Sequence, residues 1–292
     1  MKRLDAPAYA SMDLYDESVA GLTDEAIKVK FLHNRPTVLE AYQRFDEESV
    51  TKTWCNLPRA AHGKPEAIVL GALSKKELVS LYDDGVVKSK GKSRKIYDQI
   101  KLAAHDECPY CGGMGEMGED GELGTADHFL PKAYFPTYAV LPLNLVPACG
   151  VCNKGMGGSF PTDENLQPLN PYLDEDQFFL EKWTSASIRH EVPLVVDFEA
   201  RPPVGWPEKD QQRVKAHFKA CKLETRYRSR AWTELTPLIS QRKSTLSKFS
   251  SEQFREHLLV IANEPNLPIN GWKRTLYSAL AASQWFCEAD FT

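Results

Sequence analysis

The sequence contains no long apolar run, and no stretch of it approaches the roughly 18 apolar residues that a membrane-spanning helix needs. It also has no apolar block after its basic start, since Met1, Lys2 and Arg3 are followed by Asp5 and Asp13. That start predicts that the chain carries no signal peptide. These absences favour a protein that works in the cytoplasm, and they argue against a membrane partner.

An excess of basic charge is also missing. The formal net charge is −4, whereas a protein that holds nucleic acid unaided usually carries a surplus of Lys and Arg. Basic residues are instead concentrated in two groups, which are Lys88, Lys90, Lys92, Arg94, Lys95 and Lys101, and Arg213, Lys215, Lys219, Lys222, Arg226, Arg228 and Arg230. Each group is either a contact for nucleic acid or a solvated face. The charge therefore predicts weak binding to DNA by the chain alone, or binding that is helped by a partner.

The seven cysteines do not indicate the disulfide framework of a small secreted domain, because the chain is long and has no export signal. Four of them form two Cys-x-x-Cys pairs, Cys108 with Cys111 and Cys149 with Cys152. Two such pairs supply four soft thiolate ligands and leave no open coordination position. They predict a structural Zn²⁺ site, and their spacing favours a reducing compartment.

Polar residues suited to hydrolysis lie between and beside these pairs. Asp127, His128 and Asn144 fall between the pairs, and Asn153 directly follows the last cysteine. A histidine can take a proton from an attacking water, and carboxylate and amide oxygens suit Mg²⁺ or Mn²⁺. A lone Asp-His pair is as easily a core pair or a surface turn, but this context predicts a second, catalytic metal.

Three segments together resemble the HNH endonuclease family. They read TADHFLPK at 125–132, NLVPAC at 144–149 and CNK at 152–154. The family is named for its His, Asn and His positions, and the third position here is Asn153, so the chain resembles the HNN variant. The resemblance implies a ββα-metal fold.

The resemblance also implies roles for single residues. His128 would be the general base, and Asn144 would hold the hairpin and help to orient His128. Asp127 and Asn153 would bind the catalytic Mg²⁺ or Mn²⁺. Neighbouring side chains point to opposite faces of a regular strand, so we expect a distortion that lets Asp127 and His128 serve one site.

The predicted fold class is α+β, with a small ββα-metal nuclease unit and its structural zinc embedded in mainly helical flanking regions. We expect a helical N-terminal region at 1–104, the nuclease unit at 105–175, and a β-hairpin with further helices at 176–292. The last region is predicted to pack on the nuclease unit. The glycine-rich segment from Gly112 to Gly124 predicts a turn-rich excursion between the first Cys-x-x-Cys pair and the catalytic strand.

Local signals place several elements. Pro36 predicts the start of a helix whose apolar stripe contains Val38, Tyr42 and Phe45. The run from Ser74 to Glu77 predicts a capping box, and so does Ser250 with Gln253. The inward-facing positions predicted for the C-terminal helices are Leu223, Tyr227, Leu235, Leu276, Leu280 and Trp285. The helix that follows the box at Ser74 is predicted to end at 83–85. A short helix is predicted to carry Cys152 and Asn153, and to be cut short by the glycines that follow.

The first function that this pattern predicts is a metal-dependent DNA endonuclease. The segment NPYLD at 170–174 also resembles the HNH subunits of bacterial defence systems that work with an ATPase partner, as in Septu. That resemblance implies an antiphage role and an ATPase partner protein. Two alternatives stay open: cleavage of RNA, since nothing in the motif reads a 2′-hydroxyl group, and a zinc-ribbon adaptor that cuts nothing. The complete set of Asp127, His128, Asn144 and Asn153 argues against the adaptor.

Overall fold

The computed structural model describes residues 1–105, 107–113, 124–156, 158, 160–191 and 193–291. These residues form helices and small antiparallel sheets, which confirms the predicted α+β class. The helices are α1 (Asp13–Ala20), α2 (Glu25–Thr51), α3 (Lys75–Tyr82), α4 (Lys92–Leu102), α5 (Gly150–Met156), α6 (Gln177–Leu180), α7 (Glu208–Ala220), α8 (Leu223–Lys243), α9 (Ser251–Ala262), α10 (Trp272–Ala282) and α11 (Gln284–Glu288). None of them, within the described ranges, is both long and apolar enough to cross a membrane.

Within the described part of the chain, the strands pair as three separate antiparallel ladders. They are β1 (Ile68–Leu70) with β2 (Leu73–Ser74), β3 (Thr125–His128) with β4 (Leu145–Ala148), and β5 (Thr184–Arg189) with β6 (Val195–Ala200). The third pair is the hairpin predicted after the nuclease segment. The predicted excursion at 112–124 falls mostly on residues outside the described ranges.

The chain divides into two compact units. The N-terminal unit contains Arg3–Pro109 and Gly113–Asp174. The C-terminal unit contains Met1–Lys2, Tyr110–Gly112 and Glu175–Thr292. The predicted helical N-terminal region and most of the predicted nuclease segment thus belong to one unit, which ends at Asp174.

The helix around Pro36 begins earlier than the proline predicts, so that prediction is wrong. Asp24 caps α2, since its Oδ1 accepts hydrogen bonds from the backbone N of Ala26 at 2.9 Å and of Ile27 at 3.1 Å. Pro36 therefore lies inside α2, where the helix has one backbone donor fewer. The apolar stripe that follows it is buried as predicted, at Val38, Tyr42 and Phe45.

The chain continues as a helical turn beyond the predicted end of α3. A capping box opens the helix as expected, and α3 ends at Tyr82, directly before the predicted closing residues. The chain then makes one π-helical turn over Asp83–Val87, which was not predicted. Gly85 allows a close approach, because a Cβ there would lie 3.3 Å from the side chains of Ser18 and Leu81. A π turn re-aims the side chains around it and is frequent at functional sites.

The C-terminal unit buries the predicted apolar positions of its helices, which are Leu223, Tyr227, Leu235, Leu276 and Leu280. Trp285 was predicted to face inward and is instead 37% exposed. Its ring stacks on His190 with centroids 3.8 Å apart, so a surface stack holds the indole instead of the core.

Candidate metal centre and catalytic cavity

The β3–β4 hairpin carries the predicted catalytic strand. Asp127 pairs with Val146 and His128 pairs with Leu145, and the register runs unbroken through all four residue pairs. The expected distortion does not interrupt this ladder. The chain bends directly after it, at Phe129 and Leu130, so His128 is the last residue of the strand and lies at the bend.

Asn144 ties the two ends of the loop that connects these strands. It is fully buried, and its Oδ1 accepts a hydrogen bond of 2.7 Å from the backbone N of Leu130. Its Nδ2 donates to the carbonyl oxygens of Leu130, at 3.2 Å, and of Tyr138, at 2.9 Å. Asn144 thus fixes the backbone that follows His128, and it orients the imidazole through this backbone.

We expect Asn144→Ala to lower the free energy of unfolding by at least about 2 kcal/mol. The change leaves one buried N–H and two carbonyl groups without this partner, and each unsatisfied buried group costs about 1–3 kcal/mol. Thermal and urea denaturation measure the effect. Asn165→Ala is the control, because Asn165 is half-buried and its side chain donates a hydrogen bond to Asp163 in the same turn. Equal stability of the two variants would contradict the role given to Asn144.

The imidazole of His128 is held at one nitrogen. Its Nε2 lies 3.0 Å from the carbonyl oxygen of Ala139, and the ring of Tyr82 packs edge-on with centroids 4.4 Å apart. Burial is the largest cause that lowers the pKa of His128. The hydrogen bond to Ala139 raises this pKa and the charge of Lys132 lowers it, and the resulting pKa is about 4. The ring is therefore neutral near pH 7. Because a carbonyl oxygen only accepts, Nε2 carries the proton and Nδ1 keeps its lone pair.

Asp127, His128 and Asn153 line one cavity of about 580 Å³ in the N-terminal unit. Asn153 lies on α5, and its Nδ2 donates a 3.1 Å hydrogen bond to Oγ1 of Thr125 at the start of β3. This bond occupies the donor end of the amide and leaves Oδ1 as the end that can bind a cation. The cavity thus brings together a carboxylate, an amide oxygen and a neutral imidazole.

Sequence reasoning missed several groups at this cavity. Tyr82, Asp83 and Tyr97 line it, and the Tyr97 hydroxyl accepts a 3.4 Å hydrogen bond from the backbone N of Ala126. Lys132, which the motif leaves open as a phosphate contact or as a residue that only flanks the loop, also lines the cavity. Asp83 and Asp84 directly precede Gly85, a pattern that indicates a helix end. The sequence therefore did not indicate that Asp83 lines the cavity.

The predicted thiolate cluster is present. Cys108, Cys111, Cys149 and Cys152 are all buried, and their sulfur atoms lie within 4.8 Å of one another. Four sulfurs at about 2.3 Å from a tetrahedral Zn²⁺ would be roughly 3.8 Å apart, so the cluster fits such an ion. The backbone N of Cys152 also lies 3.5 Å from Sγ of Cys149. These four cysteines can therefore hold a metal ion such as zinc.

The segment 170–174 stabilises the second strand. Asn170 Oδ1 accepts hydrogen bonds from the backbone N of Tyr172, at 2.9 Å, and of Leu173, at 3.2 Å, and Asp174 Oδ2 accepts one of 2.6 Å from the backbone N of Asn170. This closed turn places the buried Tyr172 hydroxyl 3.0 Å from the carbonyl oxygen of Leu145, to which it donates. The turn thus anchors β4 at the residue that pairs with His128.

Comparison with known proteins adds a relative. No protein-family model matches the chain, and no solved structure matches it. The chain is 31% identical over 298 residues to protein ea31 of Escherichia phage lambda, and the match covers 98% of this chain and 99% of the relative. Because the similarity extends along nearly the whole of both chains, this protein belongs to the same family as protein ea31.

Proposed function

We propose that this protein is a metal-dependent HNH-type endonuclease that hydrolyses phosphodiester bonds of DNA. One observation carries the proposal: Asn153 of α5 lines the same cavity as Asp127 and His128 of β3. Such a convergence of a base and oxygen ligands is what phosphodiester hydrolysis requires. A zinc-binding adaptor would have no use for it.

In this proposal His128 activates the attacking water. Its Nδ1 is a proton acceptor because Nε2 is bonded to Ala139 and the ring is neutral. A general base works only if its free nitrogen is held towards the water. The packing of Tyr82 and the backbone fixed by Asn144 restrict the ring to that orientation.

Asp127 and Asn153 would hold the catalytic cation. A carboxylate oxygen and an amide oxygen are hard ligands that suit Mg²⁺ or Mn²⁺, and Thr125 engages the donor end of the Asn153 amide. When bound, such an ion stabilises negative charge on the phosphate and on the leaving 3′ oxygen. The protein's own part is to keep the two oxygen donors beside His128.

The thiolate cluster would have a structural role, with Zn²⁺ at Cys108, Cys111, Cys149 and Cys152. The order of β3, β4 and α5 is the order of a ββα-metal unit, and the last two cysteines belong to the segment that starts α5. A closed four-sulfur site has no position for substrate. The ion would therefore fix α5, and with it Asn153, against the hairpin.

Cleavage assays test the proposal directly. Purified protein is incubated with plasmid, single-stranded DNA and total RNA, each with Mg²⁺, Mn²⁺ or EDTA. We expect metal-dependent cutting of DNA and none in EDTA. Cutting of RNA alone would favour the ribonuclease alternative, and folded, zinc-loaded protein that cuts nothing would favour the adaptor. The loose resemblance to Septu supports testing an ATPase partner as an activator in the same assay.

We expect Asn153→His to change the preference for metals more than it changes folding. An imidazole at this position accepts softer ions such as Ni²⁺ or Zn²⁺, whereas the natural amide favours Mg²⁺ or Mn²⁺. Initial cleavage rates with the four metals measure the preference, and Asn165→His is the control. An unchanged ranking of the metals would mean that Asn153 does not contact the catalytic ion.

A further inference from the structure

Lys132 lies in the cavity that contains His128, in the turn that follows the catalytic strand. Its ammonium group forms an ion pair with Asp83 and lies 4.6 Å from the centre of the Tyr82 ring. The same Tyr82 ring packs against His128. Lys132 is therefore a cation that the fold holds on the same tyrosine ring as the imidazole.

The partners of Lys132 hold its side chain but leave it accessible to solvent and to a ligand. Its side chain is 32% exposed and that of Asp83 is 43% exposed. Ion pairs at such exposure are weak, because water screens them, so an incoming anion can replace the carboxylate at little cost. The Tyr82 ring is uncharged and can keep its cation–π contact with the ammonium during that exchange.

A second lysine at the cavity, Lys154, offers a contrast. It is exposed on α5, and among the described residues it forms no ion pair. A long side chain without partners loses conformational freedom when it binds a ligand. Lys132 is already held by Asp83 and Tyr82, so it has less freedom to lose and is the better prepared phosphate ligand.

We propose that Lys132 binds a phosphate oxygen of the nucleic-acid backbone, and that Asp83 is a counter-ion which the phosphate displaces. The inference rests on the proposed function, because the ligand is a polynucleotide. An ammonium group is a compact point charge that suits a phosphate oxygen without reading sequence. Placed beside His128, it would position the phosphodiester for attack, and Asp83 would position Lys132.

The competing interpretation is that the pair only ties the π turn after α3 to the turn after β3. The two interpretations differ in how nucleic-acid binding responds to salt. A lysine that contacts phosphate contributes to the release of counterions from the nucleic acid, so its loss lowers the slope of log K against log[salt] by about 0.9 for duplex DNA. A lysine that only stabilises the fold leaves the slope unchanged.

The test is fluorescence anisotropy of a labelled DNA duplex at several salt concentrations, without chelator and without added Mg²⁺ or Mn²⁺, so that no cutting occurs and the structural zinc is kept. We expect Lys132→Met to raise Kd by about 3–10-fold at low salt and to lower the salt slope by about 0.9. Asp83→Asn should lower Kd by about 2–5-fold, because it frees the ammonium. The double variant should bind like Lys132→Met alone. Lys76→Met, which breaks a 3.3 Å ion pair with Glu66 away from the cavity, should match the wild type.

Three results would overturn the inference. One is an unchanged salt slope in Lys132→Met together with a lower Tm, which supports the structural tie. Another is tighter DNA binding by Asp83→Asn that persists when Lys132→Met is added. That result would show that the Asp83 carboxylate merely repels the phosphate, and that the phosphate does not displace it from Lys132. The last is a wild-type protein that binds no duplex at any salt concentration.

The same assay separates this inference from the proposed function. Because binding is measured without added Mg²⁺ or Mn²⁺, the Lys132 effect can appear in a protein that never cuts. Conversely, metal-dependent cutting at the wild-type KM and kcat by Lys132→Met would leave the nuclease proposal standing and remove this one. In the cutting assay, Asp83→Asn should lower KM and leave kcat unchanged, whereas damage to the fold would lower kcat.

Discussion

Replacing Cys149 with serine should give protein that lacks bound zinc and is largely unfolded. The four buried sulfurs form a closed site, and structural zinc contributes apparent binding energies of about 10–16 kcal/mol in small zinc domains. A whole domain is stable by only about 5–15 kcal/mol. If the loss of one thiolate abolishes zinc binding, the free energy lost is comparable to the net stability of a whole domain.

The measurement is elemental analysis for zinc together with far-UV circular dichroism and thermal denaturation. Cys55→Ser is the matched control, because Cys55 is a half-buried cysteine outside the cluster. It should keep zinc and a Tm close to the wild type. Folded, active wild-type protein that contains no zinc would refute the assignment of the four cysteines.

A hairpin as short as β3–β4 shows why the metal should matter. Each strand has four residues, and an isolated two-stranded hairpin is at best marginally stable in water. The helix that follows has only seven residues, which is too short to be stable alone. A metal that links the start of α5 to Cys108 and Cys111 would supply the stability that these short elements lack.

Changing His128 to alanine should lower the rate of DNA cleavage by about 10²-fold or more. The substitution deletes the proton acceptor that the proposed mechanism needs, and general bases contribute about 10²–10⁴-fold to rate. It removes no thiolate ligand, so zinc content should stay at the wild-type level. Loss of the bond to Ala139 should lower the free energy of unfolding by about 1–3 kcal/mol, so rates are compared well below the Tm of the variant.

His62→Ala is the control for this experiment. His62 is an exposed histidine that stacks on Tyr134 with centroids 5.7 Å apart and does not line the cavity. It should cut at the wild-type rate. If His128→Ala also cuts at that rate, another group takes the proton, and the assignment of the base is wrong.

The sequence predicts the parts of this protein that depend on local chemistry. The cysteine spacing predicts the thiolate cluster, and the patterns at Ser74 and Ser250 predict capping boxes that are present in the structure. Such signals are readable because the interacting groups lie a few residues apart, or because their chemistry is specific to a metal.

The groups around His128 could not be predicted in the same way. Ala139 acts through a backbone carbonyl, which every residue possesses, and Asp83 reaches the cavity only because the chain continues into a π turn. Pro36 was misleading for a related reason: its preference for a first turn is weaker than the cap that Asp24 provides upstream. Tertiary packing decided each of these cases.

The adjacency of Cys152 and Asn153 has a consequence for how the protein is made. During synthesis the first Cys-x-x-Cys pair and β3 leave the ribosome well before α5. The last sulfur ligand and the proposed last metal-binding amide then emerge as consecutive residues. A nascent or prematurely terminated chain that ends before α5 would therefore lack both, so under the proposed function it could neither complete the zinc site nor cut nucleic acid.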